Sequence, residues 1–122
     1  MIKTSPKGNK IRVFETNWFT FGFLAHFNGF FISIKKIDEA LLLHELTHFD
    51  QMKTYGFFSF LQMLFNMDYL VKMELEAYRA DGRYEDLVIA GIISTKYGVS
   101  RLGCLFGWRI KPYSITEVLR LG

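Results

Sequence analysis

The run His44-Glu45-Leu46-Thr47-His48 constrains this chain more than any other feature in it. On an α-helix, residues i and i+4 stack on one face, so both imidazoles can reach a single ion. Neutral imidazole nitrogen binds zinc at about 2.0–2.1 Å. Glu45 follows the first histidine directly and so projects beside such an ion rather than at it. There its carboxylate can take a proton from a metal-activated water and pass it to a leaving amine. Histidine is scarce in the chain: there are three, and two of them sit in this motif. The context suits a helix with a buried side, supplied by Leu41, Leu42, Leu43, Leu46 and Phe49. Asp38 can cap that helix with Glu39 in its first turn, and the helix should run to about Tyr55 and stop at Gly56.

A catalytic zinc usually takes three protein ligands and keeps a fourth position for water. A third histidine in the familiar extension of the motif would need Gly at position 51 and His at 54, but the chain has Gln51 and Thr54, and no histidine follows His48. The one cysteine, Cys104, lies far downstream of the motif. An acidic ligand from a later helix is left, and the run Met73-Glu74-Leu75-Glu76-Ala77-Tyr78-Arg79-Ala80-Asp81 supplies candidates. Glu74 and Glu76 stand about 200° apart on a helix, so only one of them can face the ion.

Strands are expected before the motif and helices after it, which makes the fold class α+β. Residues 1–10, with Pro6, Gly8 and Asn9, read as a loose start. Lys10 to Glu15 alternates, and Trp18 to Phe21 is rich in strand formers. Asn28-Gly29 between Phe27 and Phe30 is a strong hairpin signal, with Phe30 to Ile34 as the return strand. Residues 57–66 suggest a short, largely buried helix, with packing against the core as the expected role of Phe57–Phe65. A further helix should begin near Asp68, carry Glu74 and Glu76, and pause at Gly82 before Tyr84–Ser94. Gly98, Gly103 and Gly107 mark a looser region. Ser114 and Glu117 make a capping box for a short last helix.

With 122 residues, half of them apolar and 13 of them Phe, one domain spanning 1–122 is expected, with enough apolar material for a core. A single cysteine excludes an internal disulfide framework and fits a reducing compartment. No secretory signal is visible and the 14 uncharged residues 54–67 are too few to span a bilayer, so a cytoplasmic protein is expected. The 57–65 segment leaves contact with a membrane surface open. The formal charge of +3 lies largely at the chain ends, and no dense basic run interleaves with aromatics. No nucleic-acid partner is therefore expected.

The His44–His48 motif with a glutamate on a later helix resembles the gluzincin metallopeptidases. The small size and the hairpin before the motif helix resemble their minimal members, the minigluzincins. Gln51 and the Glu-x-Glu-Ala run at 74–77 are similar to small zinc-peptidase-like proteins of bacteria and phages. The resemblance covers roughly residues 11–85. It implies an α+β zincin core, one Zn2+ per chain on His44, His48 and a glutamate, Glu45 as general base, and a peptide or protein substrate. It favours Glu74 over Glu76, because Glu74 is followed at +3 by small Ala77 and at +4 by Tyr78, which stands where an acidic residue often supports the metal helix. Tyr78 and Tyr55 are candidates for that support or for an oxyanion donor, with Tyr69 and His26 as further candidates for the donor. The resemblance also implies an edge strand that pairs with an extended peptide, in either arm of the hairpin. A tail, residues 109–122, could occlude the site in a latent form. The alternative reading is a zinc-stabilised binding or assembly module with little or no turnover.

Overall fold

The fold is α+β: a small four-stranded mixed sheet is followed by helices. The structure is a computed structural model that describes residues 1–16, 25–64, 66–96 and 113–122. The chain forms two compact units, Met1–Phe57 and Phe58–Gly122.

The first unit holds the sheet, with strands β1 (Ile2–Thr4), β2 (Lys10–Glu15), β3 (Ala25–Phe27) and β4 (Ile32–Ile34) in the order β1-β2-β4-β3. β2 runs antiparallel to β1 and parallel to β4, while β3 returns antiparallel on β4. The alternation read from β2 is real: Ile11 and Val13 are buried, and Lys10, Arg12 and Phe14 are exposed. Residues 1–10 are not a loose start. Ile2–Thr4 is a strand, and the turn residues after it close a tight loop in which Ser5 and Asn9 exchange hydrogen bonds. Pro6, Gly8 and Asn9 mark that loop rather than an unstructured end. The expected strand at Trp18–Phe21 lies outside the described residues.

The hairpin forms where Asn28-Gly29 foretells it, but with a longer loop. The Asn28 side-chain oxygen accepts the backbone N–H groups of Phe30 (2.9 Å) and Phe31 (3.0 Å), which takes both out of the ladder. The return strand therefore starts at Ile32 rather than Phe30, and Phe30 is 77% exposed. Gly29 has φ +97°, a conformation only glycine adopts cheaply.

Helix α1 (Glu39–Tyr55) ends as its sequence dictates. The Asp38 carboxylate accepts the Leu41 N–H at 3.0 Å, and Gly56, at φ +91°, donates its N–H to the Met52 carbonyl at 2.9 Å. α1 packs on β3, where Phe27 and Phe49 meet edge to face with ring centroids 5.7 Å apart. Its buried Asp50 fastens the β1–β2 loop. The carboxylate accepts the Ser5 hydroxyl, the Lys7 N–H (3.1 Å) and the Asn9 side-chain amide (2.8 Å).

The second unit is helical. A single turn, α2 (Phe57–Phe60), which starts at the last residue of the first unit, leads into a 3-10 turn, Leu61–Leu64. This segment is helical as expected but not largely buried: no residue of α2 is buried, and Phe58 is 83% exposed. One turn of helix is too short to turn four successive residues, three of them Phe, to one side. α3 (Met67–Asp81) is capped by Asn66, whose side chain accepts the Tyr69 N–H, and ends at Gly82. α4 covers Asp86–Lys96 and α5 covers Ile115–Leu121. The predicted capping box is present, with Ser114 and Glu117 bonding reciprocally. Met67, Val71, Leu75 and Tyr78 make a buried stripe on α3 at helical spacing, and it packs with Ile89 and Ile93 of α4 and Val118 of α5. Burying aliphatic side chains of this size stabilises by about 1.5–3 kcal/mol each. Among the described residues, no helix is long and apolar enough to cross a membrane.

Candidate metal centre

Eight consecutive residues of α1, from His44 to Gln51, are buried, and six of them are polar. Buried polar groups need partners or a task. Thr47 satisfies itself by donating to the Leu43 carbonyl one turn back, at 2.8 Å. Asp50 holds the β1–β2 loop. The remaining four are the motif residues His44, Glu45 and His48, and Gln51.

The helix stacks the two imidazoles as the i, i+4 spacing requires. Their Nε2 atoms face each other at 3.2 Å, with ring centroids 4.9 Å apart. Gln51, one turn beyond His48, sets the tautomer. Its Oε1 lies 2.9 Å from His48 Nδ1 and, as an amide oxygen, can only accept. Nδ1 therefore carries the proton and Nε2 keeps its lone pair for a ligand. The resemblance alone gives Gln51 no task, but its i, i+3 spacing from His48 carries the signal for this one.

Glu74 is buried on α3, whereas Glu76 is exposed. A ligand atom of Glu74 and one from each of the two histidines all lie within 4.8 Å of one another. A buried His-His-Glu group of this kind could hold a metal ion. Its dimensions pass a simple test. Two nitrogens bound tetrahedrally to zinc at about 2.05 Å sit about 3.3 Å apart, close to the observed Nε2 separation.

The other candidates differ in burial. Tyr78 is buried within the apolar cluster of the helical unit, and Tyr55 is 49% exposed at the end of α1. Tyr69, in the first turn of α3, is half-buried. His26 is half-buried on β3, where burial first and the charge of His48 second hold its pKa below the ordinary value of 6.5. Its coupling to His48 places it within electrostatic reach of the motif. Cys104, Gly98, Gly103 and Gly107 lie outside the described residues. Of the tail, the described part packs on α3 and α4, with Val118 fully buried.

No family model, curated protein or solved structure matches the chain.

Proposed function

We propose that the protein is a zinc-dependent peptidase of gluzincin-like design, with His44, His48 and Glu74 as ligands. The observation that carries this reading is the buried group of His44, His48 and Glu74, whose two histidines stand on a helix that also bears Glu45. Two imidazole nitrogens and one carboxylate are a donor set that suits zinc and leaves a coordination position to spare. Bound there, the metal would supply Lewis acidity, lowering the pKa of water towards about 7 and polarising the scissile carbonyl.

The chain's own residues do the rest. Glu45 accepts the proton of the attacking water as the C–O bond forms, and delivers it to the amine nitrogen as the C–N bond breaks. Gln51 keeps His48 in its ligating tautomer. Substrate would lie extended along β3. Of the two hairpin arms, β4 is flanked on both sides by β2 and β3, whereas β3 lies at the edge of the sheet among the described strands. Strand addition demands little of the peptide's sequence, since the backbone makes the bonds.

The test is Glu45→Gln. Zinc content should stay at about one per chain while hydrolysis of a quenched peptide library disappears. Undiminished hydrolysis would sink the proposal. A zinc-loaded wild type that cleaves no peptide would leave the site as a structural centre in a binding module.

A further inference from the structure

The first unit carries a groove of about 900 Å3 that none of the motif residues lines. We propose that it docks an extended acidic segment of a partner protein, added as a strand beside Lys10–Arg12 of β2.

The backbone sets the stage. Val13 and Met1 exchange both hydrogen bonds, Val13 N–H to Met1 O at 2.8 Å and Met1 N to Val13 O at 3.4 Å. In an antiparallel ladder, bonded and non-bonded pairs alternate, so Lys3 and Ile11 form the next bonded pair. Lys10 and Arg12 then direct their backbone groups away from β1, towards the side of β4. β4 pairs with β2 only from Val13 to Glu15. The Lys10 N–H and C=O and the Arg12 N–H thus meet no strand among the described residues, and the groove lies beside them. Such an edge is a template for an incoming chain.

The walls say what kind of chain. Lys10, Arg12 and Lys53 line the groove against one acid, Glu15. Phe14 and Phe31, packed edge to face with centroids 5.2 Å apart, give it an aromatic wall. A second copy of this cationic edge is repelled, and an acidic segment with an apolar residue between its charges is matched. Ser33 adds an independent sign. It lines the groove, it is 1% exposed, and its hydroxyl has no hydrogen-bond partner among the described residues. An incoming peptide group supplies one, which removes the cost of a buried hydroxyl left unbonded.

The docking surface does not depend on the metal, and the experiment keeps the two apart. A fluorescein-labelled peptide, Glu-Asp-Val-Phe-Val-Asp-Glu, is titrated with the full chain at low ionic strength, in the presence of a chelator. Saturable anisotropy is expected, with at least tenfold weaker binding to the Lys10→Glu, Arg12→Glu double variant. Both side chains are exposed, so this variant should melt as the wild type does. Methylating alternate backbone nitrogens of the peptide should weaken binding to a similar degree, since the bonds to the strand edge are lost. No saturable binding, equal binding of a peptide with every acid changed to lysine, or indifference to the double variant would each overturn the proposal. So would capture by phosphatidylserine vesicles or by oligothymidylate in place of the peptide.

Discussion

The Nδ1 of His48 donates to the side-chain oxygen of Gln51 at 2.9 Å, one turn further along the same helix. This bond decides which ring nitrogen is free to ligate. It also fixes the ring's rotation, so that Nε2 meets its counterpart on His44. Gln51→Leu keeps a buried side chain of similar size but removes the acceptor. Zinc affinity, measured by competition with a chromogenic chelator, should fall about 10–100-fold. Unchanged affinity would mean that packing alone orients His48.

Glu74 and Glu76 test the third ligand. Glu74 is 6% exposed and belongs to the buried group that could hold a metal ion, while Glu76 faces outward on the same helix. Glu74→Gln should lose bound zinc under dialysis, whereas Glu76→Gln should keep about one ion per chain, as read by elemental analysis. Loss in the second variant alone would assign the ligand to the other carboxylate.

His26 gives a pH signature. Its pKa is held below 6.5, mainly by burial and further by the charge of His48. As pH falls, the unfolded chain protonates His26 first and the native chain lags, so protons favour unfolding. The stability this group contributes is whole above pH 6.5 and fades as pH drops through its lowered folded value. In the metal-free protein the His26 ring, followed by NMR, should titrate with a midpoint below 6.5. A midpoint at or above that value would mean that His26 is neither desolvated nor coupled to His48.

Local chemistry was readable from the chain, and long-range pairing was not. Asp38, Gly56, Asn28-Gly29 and the Ser114–Glu117 box each act within a few residues, and each appears where its side-chain chemistry requires. The motif spacing foretold the histidine pair for the same reason. The parallel pairing of β2 with β4 joins residues about twenty apart, with no local signature for its partner or direction. β1 was hidden because three residues carry too little pattern, and the turn residues that follow it resemble a disordered end. The exposure of Phe57 and Phe58 was misread because hydrophobicity alone says what prefers burial, not whether a surface is at hand.

Asp50 offers the sharpest test of how the sheet is held to the motif helix. It lies two residues beyond His48, about 200° round α1. It is 4% exposed, and its carboxylate gathers donors from Ser5, Lys7 and Asn9 across more than forty residues of chain. Asp50→Ala leaves those donors without an acceptor inside the fold. The cost should be about 3 kcal/mol, since each buried group left unbonded costs about 1–3 kcal/mol and the exposed Lys7 end can turn to water. Ser5→Ala, which removes one donor to the carboxylate and the acceptor of the Asn9 N–H but leaves the carboxylate two other donors, should cost about 1–2 kcal/mol. Urea unfolding measures both, and the midpoint should fall at constant slope if the native state stays compact. Because the pair shares one network, the double variant should cost less than the sum of the two. Additive costs would show that Ser5 and Asp50 stabilise the unit independently, and the loop would then be held by β1–β2 pairing rather than by the carboxylate.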